Sequence, residues 1–140
     1  SDIWSGISTA NFKRGKEPYV WRFYEKLLPG YDFEGKKVIE FGCGTGINTA
    51  IMANRGAKVT FVDYSKEALG LAKQNMEKVG IKAKYVHKNI FDFEEKGKYD
   101  LVHSEGVVEH FLPPKRQEIV DIHAAAAKRD GKVLIIIPHM

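Results

Sequence analysis

A chain of 140 residues, 44% hydrophobic and 29% charged, is long enough to bury one core and too short for two independent ones. Its net charge of +4 is too small to name a polyanionic partner, and no apolar run nears the roughly 18 residues that a membrane span requires. Residues 1–10 lack the basic-then-apolar build of a secretory signal, and the single cysteine, Cys43, can form neither an intrachain disulfide nor a zinc cluster, which points to a reducing, cytoplasmic setting.

In chain order, residues 18–28 read as an amphipathic helix stopped by Pro29-Gly30. Residues 37–41 are a short apolar strand running into glycines. A helix is expected over 47–55, with Gly56 as its stop, and residues 58–63 make a second strand rich in Val, Thr and Phe. Ser65 then caps a helix in which Leu69, Ala72, Met76 and Val79 recur at helical spacing, and Gly80 ends it. A third strand is expected at 83–87 and a fourth at 99–103. Pro113 and Pro114 open a helix with Ile119, Ile122 and Ala126 on one face. Asp130-Gly131 reads as a turn, and residues 132–137 as a continuous apolar strand of the kind buried on both faces. The stretch from Lys78 to Lys88 holds four lysines, His87 and no acid; it is read as a solvated face rather than a nucleic-acid surface.

Strands alternating with helices argue an α/β fold, Rossmann-like, with a mostly parallel sheet and helices on both faces. Right-handed crossovers give the strand order 3-2-1-4-5, with a switch point between strands one and four. Ligands of such sheets sit there, at the carboxyl ends of the strands.

The first strand delivers Glu40-Phe41-Gly42-Cys43-Gly44-Thr45-Gly46 to that crevice. Alternate glycines let the backbone turn tightly and approach a ligand without a Cβ in the way. A dinucleotide fingerprint requires Gly-x-Gly-x-x-Gly, and counting from Gly42 the third glycine is Ile47 instead. Glu40, two residues before the first glycine, would repel a pyrophosphate but suits a ligand carrying an ammonium and a sulfonium. Asp63 ends the second strand, 21 residues after Gly42, where a carboxylate can accept hydrogen bonds from both ribose hydroxyls of an adenosine. Tyr64 could lay its ring on the adenine.

The run Val38-Ile39-Glu40-Phe41-Gly42-Cys43-Gly44-Thr45-Gly46 resembles the signature of class I S-adenosylmethionine (SAM)-dependent methyltransferases. Phe61-Val62-Asp63-Tyr64-Ser65 resembles that family's next motif, the run from Tyr99 to His110 its fourth strand and the segment after it, and residues 131–138 its fifth strand. The resemblance implies that Glu40 and the loop of Gly42, Cys43, Gly44 and Gly46 face the methionine half of the cofactor, with Asp63 on the ribose. It implies that Asn89 and Ile90 recognise the adenine edge, Asn89 standing where an aspartate is common, and that Ser104 and Glu105 lie under the methionine portion through backbone carbonyls. His110 is the nearest candidate base, with His103 and Glu105 behind it; His103, closing an apolar strand, reads first as a packed histidine. The aromatic N-terminal segment, with Trp4, Phe12, Tyr19, Trp21, Phe23 and Tyr24, resembles the family's lid over the cofactor, where Lys13 or Arg14 could meet a carboxylate; packing of these rings on the sheet is the alternative.

The resemblance implies one domain over 1–140, residues 1–34 forming the helical or lid segment and 35–140 the core. The family's C-terminal antiparallel hairpin is missing from this sequence, which leaves strand five as an edge and suggests a homodimer formed through it. The functional expectation is a SAM-dependent methyltransferase acting on a small-molecule acceptor and releasing S-adenosylhomocysteine, with no metal. The alternative is a SAM-binding module or methyltransferase fragment that needs a partner chain or second copy to complete the substrate site. A nicotinamide-dependent oxidoreductase is disfavoured by the glycine spacing and Glu40.

Overall fold

The computed structural model describes residues 19–137. The expectations resting on Trp4, Phe12, Lys13 and Arg14 lie outside the described residues. Five strands, β1 (Lys37–Phe41), β2 (Lys58–Asp63), β3 (Lys84–His87), β4 (Tyr99–Glu105) and β5 (Ala127–Ile136), make one parallel sheet in the order β3-β2-β1-β4-β5. Four α-helices accompany it among the described residues: α1 (Trp21–Leu27), α2 (Ile47–Asn54), α3 (Lys66–Lys78) and α4 (Pro113–Ala126). The order and the parallel sense are those expected from the alternation of strand and helix.

Period-two alternation sorts the strand residues onto two faces. Val38, Val59, Phe61 and Leu101 share one core with Trp21 and Tyr24 of α1, Ile47 and Ile51 of α2, and Leu69, Ala72 and Met76 of α3. Ile39, Phe41, Val62 and Val102 share the other with Ala126, Ile122 and Phe93. The register makes the layers coherent: Val38 stands beside Val59 and Leu101, and Ile39 beside Val102. Trp21 and Tyr24, each 1% exposed, belong to the core, so those two rings pack on the sheet. Ser65 caps α3 as expected, its Oγ accepting the Ala68 N–H at 3.1 Å.

Strand β5 corrects two expectations. The turn foreseen at Asp130-Gly131 is a bulge inside the strand: Tyr99 pairs with Ala127, but Leu101 pairs with Lys132. A Cβ on Gly131 would stand 2.9 Å from the Tyr99 carbonyl oxygen and 3.0 Å from the Lys128 backbone, so the glycine serves a close approach of chains. The apolar run after it is not buried on both faces. Val133 is 37% exposed and Leu134, Ile135 and Ile136 are half-buried, because β5 is the sheet's edge.

Candidate functional site

From β1 the chain steps outward to β2 and β3, then returns across β1 to β4, so the loops after β1 and β4 diverge and open a crevice. A cleft of about 450 Å³ lies there. It is walled by Gly42 after β1, by Val62, Asp63 and Tyr64 at the end of β2, by Lys88, Asn89, Ile90 and Phe91 after β3, and by Gly106, Val107, His110 and Phe111 after β4.

The glycine loop is shaped by three left-handed residues, Gly42 (φ +76°), Gly44 (φ +45°) and Gly46 (φ +70°). The Gly42 N–H donates to the Val62 carbonyl at 2.7 Å, tying the loop to β2. A Cβ on Gly42 would lie 2.8 Å from Val107 Cγ2, and one on Gly46 would crowd the Phe61 ring at 3.2 Å. Gly44 has nothing within 4 Å, which leaves its bare backbone open to a ligand. Helix α2 starts directly after Gly46, and the amides of its first turn face outward from the helix end.

Asp63 holds this loop as well as the cleft wall. Its Oδ2 accepts the Cys43 N–H at 3.0 Å and the Cys43 Sγ–H at 3.3 Å, and its Oδ1 accepts the Ser65 N–H at 2.8 Å. A carboxylate offers about four acceptor positions. One on Oδ1 is left, and the weak thiol bond is readily displaced, so two hydroxyls of a sugar can be taken. Burial, reinforced by Asp63, pushes the Cys43 thiol well up, so it stays protonated and acts as a donor. Cys43 is wholly buried and supports Asp63 rather than lining the cleft.

Tyr64 lines the cleft with its side chain largely exposed. Asn89 Oδ1 accepts the Phe91 N–H at 3.0 Å and starts the short 3₁₀ turn Ile90–Asp92 that presents Ile90 and Phe91. One lone pair on that oxygen remains for an amine. His110, at the end of the turn Val108–His110, is exposed and lines the cleft, with its Nε2 4.0 Å from Glu109 Oε2.

Glu40, Gly44, Gly46, Ser104 and Glu105 lie beneath the cleft or beside it rather than on its walls. Ser104 is wholly buried, with Oγ 2.9 Å from His123 Nε2. His123 Nδ1 lies 2.8 Å from the Ile119 carbonyl, which only accepts, so Nδ1 carries the hydrogen; burial lowers this imidazole's pKa and keeps it neutral. Ser104 Oγ–H therefore donates to Nε2, and Ser104, paired on both sides within the sheet, supports the cleft from beneath.

On the opposite face of β1 and β4 a polar cluster runs from the buried Glu40 out to the half-buried Glu105. Glu40 Oε1 is 2.7 Å from Thr49 Oγ, which is 2.8 Å from His103 Nε2. His103 Nδ1 is 2.8 Å from Tyr24 Oη, which donates to Glu105 Oε1 at 2.7 Å; Asn48 Nδ2 donates to the same oxygen at 2.6 Å. His103 is fully buried, the packed histidine expected of it, and burial lowers it to about 3. Burial, then the nearby Glu105, raises Glu40 well above the usual carboxylate range. Asn48 Oδ1 is buried with no partner among the described residues, a polar atom that a ligand's donor could satisfy.

Sequence reasoning did not find Tyr24, Asn48 and Thr49 as partners of the acids, nor the apolar lip of the cleft. Phe91 and Phe111 meet edge to face at 5.5 Å, and the Lys115 ammonium stands 4.6 Å over the Phe91 ring. These rings come from segments twenty residues apart, and no spacing signals such a pair. A bare-backboned loop, a sugar-competent carboxylate and a cleft this size fit an adenosyl amino acid, the ligand expected from the sequence.

Comparison with known proteins agrees. A family profile described as a methyltransferase domain matches residues 38–131. A ubiquinone biosynthesis O-methyltransferase of Vibrio campbellii is 38% identical over 101 residues, covering 71% of this chain and 42% of that enzyme. The corresponding enzyme of Aromatoleum aromaticum is 38% identical over 82 residues, covering 57% of this chain and 35% of its own length. The chain thus spans well under half the length of these curated relatives. Among solved structures, magnesium protoporphyrin IX methyltransferase from Synechocystis PCC 6803 with bound SAM superposes at a TM-score of 0.69 with 25% identity, over 77% of this chain and 52% of that one. A Pyrococcus horikoshii protein at 19% identity, covering 86% of this chain and 59% of its own, shares the fold at a TM-score of 0.72. With a loop, a strand order and a family match over residues 38–131 all in agreement, this chain belongs to the methyltransferase domain family, with the Rossmann-like fold of the SAM-dependent enzymes.

Proposed function

We propose that this domain binds S-adenosylmethionine across the tips of β1 and β2 and transfers its methyl group to a small-molecule acceptor. The observation that carries the proposal is the left-handed Gly42–Gly46 loop packed against Asp63 at the mouth of the cleft. Asp63 would take the ribose hydroxyls. Tyr64, Asn89, Ile90 and Phe91 would flank the adenine, and Gly42, Gly44 and the first turn of α2 would lie along the amino-acid tail, over Glu40 and Glu105. When bound, the cofactor supplies an activated methyl group on a sulfonium, so the chain's own work is alignment and exclusion of water. Val107, Phe91 and Phe111 give the cleft an apolar lip that excludes water, and His110 faces it as the group to accept a proton from an acceptor hydroxyl. The relatives named as O-methyltransferases support an oxygen acceptor. A buried lone cysteine and the absence, among the described residues, of any helix long and apolar enough to cross a membrane support a cytoplasmic setting.

Calorimetric titration of S-adenosylhomocysteine into the folded chain tests the reading. Binding that is weakened by substitution of Asp63 is the expected result, and no heat from a folded sample overturns it.

The free edge of β5, with Val133 37% and Ile137 54% exposed, favours a second reading of the assembly: a SAM-binding unit completed by a second copy paired along this edge. Sedimentation should then show a dimer that Val133→Lys converts to monomer. A wild-type chain that stays monomeric at high concentration rules this out.

A further inference from the structure

The buried cluster contains a proton that its own groups do not supply. Four hydrogen bonds run in series, Glu40 to Thr49, Thr49 to His103, His103 to Tyr24, and Tyr24 to Glu105, and each needs one hydrogen. The hydroxyls of Thr49 and Tyr24 bring one each, and a neutral imidazole brings one. With both carboxyls ionised, one bond would set two acceptors face to face. A fourth hydrogen must therefore be present. It does not sit on His103, whose burial and neighbour His123 of α4 disfavour the imidazolium. Glu105 is half-exposed and already takes the hydrogens of Tyr24 and Asn48. Glu40 is 5% exposed, its side-chain partner among the described residues is Thr49, and burial, Glu105 and Asp63 all oppose its ionisation. The extra hydrogen belongs on Glu40. The chain then reads Glu40 O–H to Thr49 Oγ, Thr49 O–H to His103 Nε2, His103 Nδ1–H to Tyr24 Oη, and Tyr24 O–H to the Glu105 carboxylate.

We propose that this relay discharges one proton through Glu105 when the ammonium of the cofactor's amino-acid tail docks over the tips of β1 and β4. The inference rests on the cofactor reading given above. The transfer is balanced. The Glu40 hydrogen passes to Thr49 Oγ, that of Thr49 to His103 Nε2, that of Nδ1 to Tyr24 Oη, and that of Tyr24 to Glu105, which yields it to the solvent buffer. Thr49, His103 and Tyr24 end neutral as they began. Glu40 alone becomes ionised, and the added negative charge offsets the arriving ammonium. The inner bonds now point the other way, with Thr49 donating to Glu40 and Tyr24 to Nδ1. Glu105 is released from the tyrosine to accept from the ligand. Thr49, His103 and Tyr24 are thus positioning residues, and helix α1 is coupled to the site through Tyr24.

Calorimetry of S-adenosylhomocysteine binding near neutral pH, in three buffers of different ionisation enthalpy, counts the protons. The expected result is about one released per ligand bound by the wild type and close to none by Glu40→Gln, whose amide donates permanently to Thr49. Nitrogen-15 shifts of His103 give an independent readout: the Nδ1–H tautomer in the free protein and Nε2–H in the complex. This readout and the wild-type buffer dependence decide the matter even where Glu40→Gln folds poorly. Binding with no buffer dependence, or a free His103 already in the Nε2–H form, overturns the relay alone. No binding of S-adenosylhomocysteine at all overturns the cofactor reading together with it.

Discussion

The glycine loop lets steric and conformational costs be separated by a short substitution series. Gly44→Ala places a methyl in open space, so it pays only for a left-handed φ of +45°, roughly 1–2 kcal/mol. Gly42→Ala carries the same kind of cost at φ +76° and also drives its Cβ to 2.8 Å from Val107 Cγ2, where ordinary contact begins some 0.6 Å further out. Overpacking of this kind adds about 1–3 kcal/mol. Urea denaturation should therefore rank Gly42→Ala below Gly44→Ala by about that increment. Combining Gly42→Ala with Val107→Ala should recover the increment as a coupling of about 1–3 kcal/mol in the double-mutant cycle. Binding of S-adenosylhomocysteine should weaken in both singles, because Gly42 and Gly44 both lie along the proposed course of the ligand's tail. A Gly42→Ala variant as stable as Gly44→Ala, or a cycle with coupling below about 0.5 kcal/mol, would refute the packing argument.

Asp63→Asn replaces one acceptor oxygen by a donor and cannot serve Cys43, Ser65 and two sugar hydroxyls together; the loss of at least one charge-assisted bond, about 1.5–3 kcal/mol, should weaken S-adenosylhomocysteine binding by roughly 10- to 150-fold. A dissociation constant within threefold of wild type in calorimetry would remove Asp63 from the ribose. His110→Ala, an exposed position, should change stability by no more than about 0.5 kcal/mol yet slow methyl transfer by about 10²-fold or more if His110 is the base; an unchanged rate takes it out of the chemistry. Glu40, raised in the folded state by burial, binds a proton that the unfolded chain releases above its ordinary value of 4.5, so its contribution to stability is lost as pH rises from there through its folded value. The stability of Glu40→Gln relative to wild type should accordingly increase with pH above 4.5, by up to about 1.4 kcal/mol per unit, and parallel urea-midpoint profiles for the two proteins would contradict the assignment.

What could be read from the sequence was what short-range physics controls. Alternating glycines after an apolar strand permit a tight turn through left-handed backbone, so the Gly42–Gly46 loop was legible without its surroundings. Short apolar and β-branched runs marked β1, β2 and β4 as strands, and the end of β2 singled out Asp63. The β5 bulge was misread because Asp130-Gly131 carries the same local signal whether glycine is needed for a turn or for close approach to the Tyr99 carbonyl. The Phe91–Phe111 lip and the Tyr24–His103–Glu105 chain were illegible for a different reason. Their members are 20 and about 80 residues apart in sequence, and only the completed sheet brings them together.

Glu40 stands between these cases, since its place in the motif was plain and its charge was not. The argument that a carboxylate there repels a pyrophosphate assumes an ionised group, whereas the structure surrounds it with apolar core and a second acid. The electrostatic conclusion survives nonetheless. Two carboxyls sharing one hydrogen leave one negative charge whichever of them holds it, and the relay carries that charge between Glu40 and Glu105 without changing its sign. Beneath the glycine loop the site therefore presents a negative charge to any incoming ligand. A cationic amino-acid tail is attracted by it, and it can draw one further charge from Glu40 as it docks. A pyrophosphate approaching the same loop meets repulsion with no compensating proton uptake within the relay, whose four bonds already hold their four hydrogens.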